Sequence, residues 1–305
     1  MDAEERRLLR ESLRKAVESA GPGGLRAAVT DFGWFDLLAE HPAVAVSTLA
    51  ELQGELLTDA TMLDDVVLAA GGVDGPARVV YPALPHDDPT GATGVVAPGA
   101  GDRLVVPVRL GDDVVVVTTD HPLPDTASDG LDPDSGWRPV RLDLAPSAAE
   151  VVVDAQWPLM RAAGHRALAH ELTAIGRRML AGAVEHVSSR EQFGRRIGSF
   201  QAVKHALADV RVWQECAELA AGAAWEDGAP ESARLAKVLA GRFVRTAAAN
   251  CQQVLGGMGF TWEHDFHRYL RRALVLEPLL GSAAHLRTAL GAGLRAHGVP
   301  RLAAL

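Results

Sequence analysis

Cysteine is almost absent. Only Cys216 and Cys251 occur in 305 residues. Both sit in apolar helical stretches, so buried, reduced thiols are expected, and neither a disulfide framework nor a metal site has the ligands it needs. Positive charge is also in deficit. Lys and Arg number 30 against 39 Asp and Glu, for a formal net charge of −9. That excludes the broad basic surface needed for nucleic acid, while leaving room for a local basic spot that takes a phosphate. No apolar run approaches the ~20 residues of a membrane span. The opening "MDAEERRLLRESLRKAVESAG" lacks the uninterrupted apolar core of a signal peptide. A cytoplasmic protein with neither a nucleic-acid nor a membrane partner is expected.

What is present falls into three blocks. Residues 1–74 read as helical: Leu8, Leu9, Leu13 and Val17 form one stripe, and "GPGG" at 21–24 ends that helix. A second helical pattern, capped at Ser47 or Thr48, runs up to Gly71-Gly72. Residues 75–156 change texture to short β-branched runs such as "RLVVPVRL" and "DDVVVVTTD", separated by Gly, Pro and Asp. "RLGDDV" at 109–114 predicts a tight hairpin, and "DHPLPDTASDGLDPDSG" a long acidic loop.

Residues 157–305 are helical again. One long helix begins with Pro158 in its first turn. Others start near Phe200 and after "EDGAPES", the latter with Leu235, Val238, Leu239, Phe243 and Ala247 as its stripe. Two more cover roughly 264–280 and 282–297. The expected fold is mainly α: N-terminal helices, a reduced β-sheet or barrel in the middle, and a C-terminal antiparallel bundle of the four-helix type.

Two motifs stand out in the last block. One is "REQFGRRIGSFQAVKHALADV" within 188–210; the other is "QQVLGGMGFTWEHDFHRYLRRA" at 252–273. In this order, separated by two long helices, they resemble the Arg-x-x-Phe-Gly loop and the Gln-x-x-Gly-Gly-x-Gly segment of the acyl-CoA dehydrogenase family. The resemblance implies that a C-terminal bundle helps to hold the flavin adenine dinucleotide (FAD) of a neighbouring subunit. It places Arg190 on the cofactor pyrophosphate, Phe193 near its adenine, and Gln192, Gln201 and Gln253 as polar contacts, with Gly256 and Gly257 allowing close backbone approach. Glu263 is expected to have a structural role, pairing with an arginine of "RYLRRA".

The family's chemistry is α,β-desaturation of an acyl-CoA thioester, which needs a carboxylate base. One family position for it precedes a Gly-Ser or Gly-Thr; here Leu280 stands before Gly281-Ser282. The other lies 26 residues before the motif arginine, and here it is Gly164. Glu277 and Glu171 are nearby carboxylates, and His165 and His170 lie on the same helix as Glu171. The middle block also lacks the family's own-subunit flavin motifs, offering only "ATGVVAPGAGD".

Three readings therefore stay open. The chain resembles the short, base-lacking subunit of bacterial heteromeric dehydrogenases of steroid degradation. Such heterotetramers pair it with a longer partner subunit that shares the FAD, act on a bulky acyl-CoA, and pass electrons by family expectation to an electron-transfer flavoprotein. Alternatively it is a self-sufficient enzyme with a displaced base, or a flavin-free scaffold on the same fold.

Overall fold

The structure, a computed structural model, describes the chain apart from residues 22, 59–60, 83–92, 100, 111–112, 122–129, 143–149, 153–154 and 299–305. Five helices open it: α1 (Ala3–Ser19), α2 (Leu25–Asp31), α3 (Trp34–Glu40), α4 (Pro42–Leu56) and α5 (Leu63–Ala70). A capping box starts α1: the Asp2 carboxylate accepts from the Glu5 N–H, and the Glu5 carboxylate accepts from the Asp2 N–H. Leu13 and Val17 of its stripe are buried, while Leu8 is half exposed.

The expected cap at Ser47 or Thr48 is not where α4 begins. Pro42 takes the first turn, where its missing N–H costs nothing, and Ser47 sits inside the helix donating to the Val44 carbonyl. The pattern expected to run to Gly71 is two helices, broken at Leu57, whose φ is 52°.

The middle block forms two small sheets. The first has the order β1 (Arg78–Val79), β4 (Arg103–Leu110), β5 (Asp113–Asp120), β7 (Glu150–Val151). The second has the order β2 (Tyr81–Pro82), β3 (Thr93–Val96), β6 (Arg138–Arg141). Strands β4 and β5 pair antiparallel with Leu110 opposite Asp113, so the hairpin predicted at 109–114 forms; its two turn residues lie outside the described residues. Alternation along β4 sends Leu104 and Val106 into a small cluster with Val80, Val96 and Val140, and Val105 into the main core with the helices. The acidic loop is described again from Gly130 on, with a 3₁₀ turn at Pro133–Ser135.

The last block contains α6 (Trp157–Ser189), a short hairpin of β8 (Glu191–Gln192) and β9 (Arg195–Arg196), then α7 (Gln201–Glu226), α8 (Pro230–Leu255), α9 (Phe266–Leu276) and α10 (Ala283–His297). Its helix ends fall close to the expected ones. Leu235, expected in the α8 stripe, is instead exposed. Cys251 is buried, which pushes its thiol up to about 12, whereas Cys216 is only half-buried. Among the described residues no helix is long and apolar enough to cross a membrane.

Helix α6 is the centre. Every residue from Ala162 to Gly176 is buried. Glycine at 176 makes room for the Phe243 ring of α8, since a Cβ there would stand 2.5 Å from Phe243 Cε1. Most buried polar side chains of α6 are partnered, as burial favours, the Thr173 hydroxyl being an exception. Arg166 donates to the Ala224 carbonyl at 2.7 Å. Trp225 donates its indole N–H to His170 Nε2 at 3.1 Å, so His170 carries its proton on Nδ1 and donates to Glu51 at 3.2 Å. Burial pushes the Glu51 carboxyl up, but the His170 hydrogen bond and the Arg177 charge outweigh it and bring it to about 2. Arg10 of α1 joins the same carboxylate at 3.1 Å, so this network ties α1, α4, α6 and α7 together.

A second polar knot joins the middle block to the bundle. Arg272 of α9 pairs with Asp132 at 2.6 Å, and both side chains are almost completely buried. Glu171 lies beside them. Burial pushes its carboxyl up to about 7, with Arg272 pulling it down and Asp132 pushing it further up. Asp64 of α5, hydrogen-bonded by the Tyr81 hydroxyl at 2.7 Å, is likewise raised by burial to about 7.

Replacing Arg272 by Met strands Asp132 as a buried, unpaired charge, and should cost about 3–5 kcal/mol in urea unfolding; a loss under about 1 kcal/mol would show that the pair is not a brace. The raised carboxyls set a pH dependence. Protonated Glu171 and Asp64 favour the folded state fully below their unfolded values near pH 4, and that stability is lost as pH rises through about 7. Each contributes on the order of 3 kcal/mol to this fall. The Glu51 contribution runs the other way and disappears as pH drops from about 4.5 toward 2. Melting temperature should therefore decline from pH 5 to pH 8, and Glu171→Gln should flatten the decline.

Candidate functional site

The first motif folds as the end of α6, a hairpin, a 3₁₀ turn at Ile197–Ser199 and the start of α7. Ser188 and Ser189 donate their hydroxyls back to the Val184 and Glu185 carbonyls, and Arg190 caps the helix with its N–H on the His186 carbonyl. The chain reverses at Phe193-Gly194, with φ of 54° and 75°. Two positive φ values make the tight hairpin turn, and a phenylalanine held there is strained. Its ring is 90% exposed, edge-on to Phe200 at 6.2 Å, while Arg195 lies over Phe200 at 4.0 Å. The turn therefore leaves an aromatic ring out in water.

The second motif ends α8. Gly256 has φ 57° and ψ −134°, a conformation open to glycine, and its N–H closes the helix on the Gln252 carbonyl. A 3₁₀ turn, Gly256–Phe260, follows.

A cleft of about 650 Å³ lies between the two motifs, lined by His186, Ser189, Arg190, Leu255, Gly257 and Met258. Folding thus brings Arg190 and Gly257 onto one cavity. Gly256 adjoins it, and Gln253 is exposed on the last turn of α8. Gln192, Phe193 and Gln201 do not line the cleft; they stand exposed on the hairpin and at the first turn of α7.

His186, Ser189 and Met258 are lining residues that motif reasoning missed. The signal for His186 is its position one helical turn before Arg190. Burial lowers its imidazole, with His264 and Arg190 adding to the shift. Glu263 is exposed and has no ion pair among the described residues, correcting the expected pairing; Asp265 pairs with Arg268 at 3.5 Å instead. Trp262 and Phe260 are also exposed beside this turn, with Arg271 over the Trp262 ring at 5.3 Å.

The two base positions come together at the other end of α6. A Cβ built on Gly164 would stand inside the Leu280 side chain and 3.2 Å from Val67 Cγ2 of α5. Leu280 is buried at φ 58°. The space where a carboxylate from either position would project is filled by apolar contact between α5, α6 and the turn before α10.

That turn is held from behind. Fully buried Lys237 donates to the Glu277 carbonyl at 2.6 Å, and burial lowers its ammonium to about 8 against the pull of Glu277. His165 Nε2 lies 2.9 Å from the Leu280 carbonyl, which can only accept, so that nitrogen carries the proton. Burial brings His165 down to about 3, so it is neutral.

The two nearby carboxylates have other occupations. Glu277 is buried, with its carboxylate accepting the Ala283 N–H at 2.9 Å at the start of α10. That is the place where a helix dipole favours an anion. Glu171 faces Arg272 and Asp132, two turns along α6 from Gly164. His170 is the core residue that bonds Glu51 and Trp225.

Residues 159–294 match the acyl-CoA dehydrogenase C-terminal domain family. Over 291 residues the chain is 32% identical to acyl-CoA dehydrogenase IpdE2 of Mycobacterium tuberculosis, covering 88% of this chain and 91% of that protein. It is 30% identical over 303 residues to IpdE2 of Mycolicibacterium smegmatis, covering 92% and 95%. Its fold is similar to that of the steroid ACAD Tcur3481-Tcur3483, with a TM-score of 0.73 at 21% identity over 97% of this chain and 99% of that one. The ChsE4-ChsE5 complex of Mycobacterium tuberculosis gives 0.71 at 19% identity, covering 99% of both chains. With both motifs meeting at one cleft and relatives matched along nearly their whole length, this chain belongs to the acyl-CoA dehydrogenase family.

Proposed function

We propose that this chain is the base-lacking subunit of a heteromeric, FAD-dependent acyl-CoA dehydrogenase that acts on a bulky acyl-CoA thioester. The observation that carries this reading is the contact between Gly164, Leu280 and Val67. Neither base position holds a group that takes a proton, and the space in front of both is closed. The carboxylate that removes the α-proton is then supplied by a longer partner subunit. The solved structures named for a steroid ACAD and for a ChsE4-ChsE5 pair support a partnered arrangement and a large acyl group.

The cleft between the motifs fits the phosphate-bearing end of FAD. It has the volume, a guanidinium, an imidazole and a glycine backbone, and among the described residues no carboxylate lines it. Arg190 would hold the pyrophosphate through fork-shaped, charge-assisted bonds. Gly257 lets the backbone come close, and His186 adds a second polar group on the Arg190 face of α6. Phe193, held outward by its turn, offers a flat face to an adenine beyond the cleft. Bound there, FAD supplies the hydride acceptor for α,β-desaturation. Gln192, Gln201 and Gln253 are placed to add amide contacts only from outside the cleft wall.

Expressed alone, the chain should bind FAD weakly and desaturate no acyl-CoA; stoichiometric yellow flavin with turnover would overturn the proposal. Co-expressed with a longer, base-bearing partner it should yield a flavin-loaded complex, and Arg190→Ala should weaken FAD retention about 10- to 150-fold, the equivalent of a charge-assisted contact of about 1.5–3 kcal/mol. In the same complex Glu277→Gln keeps an acceptor for the Ala283 N–H, so kcat should stay within about twofold of the parent. A loss of several hundredfold would make Glu277 a base and overturn the base-lacking reading.

A further inference from the structure

A second cleft, of about 420 Å³, lies between α7, α8 and α10. Trp213, Val238, Arg242, Arg245, Ala283 and Arg287 are among the side chains around it. Its charge is out of keeping with the molecule. The chain carries a net charge of −9, yet among the described residues three guanidiniums and no carboxylate line this cleft.

Several arginines elsewhere on the helices are paired with acids: Arg7 with Glu4 and Glu11, Arg10 with Glu51 and Glu55, Arg211 with Glu215, and Arg268 with Asp265. Among the described residues Arg242 and Arg287 have no acidic partner. Arg245 approaches only Glu277, at 4.0 Å, and that carboxylate is buried and already bonded to the Ala283 N–H.

The site is also ordered in advance. Arg242 lies over the Trp213 ring, 4.9 Å from its centroid, which holds the guanidinium plane and leaves its edge N–H groups free. Ala283 and Ala284, at the first turn of α10, present no bulk over that helix end, where the Glu277 carboxylate takes the Ala283 N–H and the Ser282 hydroxyl takes the His285 N–H. Val238, Leu239 and the alanines give an apolar floor. A single carboxylate would offset one of three positive charges. A phosphate monoester or pyrophosphate carries two or three negative charges and enough oxygens for several fork-shaped bonds. The volume suits a small organic molecule.

This cleft is separate from the one between the motifs. Arg245 and Leu255 are ten residues apart on α8, or about 15 Å at 1.5 Å per residue.

We infer that the α7–α8–α10 cleft is a second anion site, built for a phosphate-bearing small molecule. Inorganic pyrophosphate is the probe. Calorimetric titration of the full-length Arg190→Ala chain at low salt, with the first cleft deprived of its own guanidinium, should give saturable one-to-one binding, weakened at least tenfold when Arg242→Ala and Arg287→Ala are added. Circular dichroism and melting of the double variant should match the parent, since both arginines are exposed; if the double variant melts early, Arg287→Gln alone, which keeps the helix surface, carries the same expectation.

Binding that survives the arginine changes would overturn the inference, and so would binding lost only in Arg190→Ala, which would place the anion in the first cleft. Self-association abolished by Arg242→Glu, with no saturable pyrophosphate binding, would overturn it in favour of an acidic protein surface.

Discussion

The burial of helix α6 on all sides is the constraint on which the rest of the molecule depends. A helix is enclosed at low cost when it carries little bulk where neighbours approach and when its strongly polar side chains find partners inside. Gly164 and Gly176 meet the first condition, admitting Leu280 and Phe243. Arg166, His165 and His170 meet the second, and each draws on a different element: the end of α7, the turn before α10, and α4 together with Trp225. Apolar burial has no direction, but these hydrogen bonds do. They decide which helix docks on which face of α6, and the Arg272–Asp132 pair does the same for the middle block.

That arrangement separates two properties along one helix. Gly164 and Arg190 are 26 residues apart, or about 39 Å along the axis. At the far end the chain leaves α6 through a strained hairpin that exposes Phe193 and opens a polar cleft. At the near end, Leu280 closes on Gly164, braced by Lys237 and His165. The open end has groups suited to holding phosphates. The closed end has the shape of a packed core. The polar cleft and the Gly164–Leu280 contact are thus not parts of one pocket in this chain.

Much of this was legible in the sequence, for local reasons. Proline at a first turn and glycine after a last turn act through the backbone alone, so the ends of α6, α8 and α10 fell close to expectation. The Gly-Asp turn between two β-branched runs identified the hairpin for the same reason. The misreadings have nonlocal or competing causes. Ser47 looked like a cap, but Pro42 had already started the helix, and the small apolar residues after it continued it. Glu263 had arginines within reach along the chain, yet Trp262 took Arg271 and Asp132, from more than a hundred residues away, took Arg272. Leu235 fits a helical stripe, but no neighbour packs over that turn of α8 strongly enough to bury it.

The sequence by itself determined the order of helices, strands and bundle and the spacing of the two motifs. These follow from composition, period and spacing, which the linear chain carries in full. Only the tertiary structure decided that Gly164 and Leu280 touch, that Glu277 holds a helix end, that His186 and Met258 share a cleft with Arg190, and that three arginines of α8 and α10 gather around Trp213. Each of these joins groups far apart in sequence or on opposite sides of a turn. Their meeting depends on how the helices pack around α6, and no local preference of the chain encodes that packing.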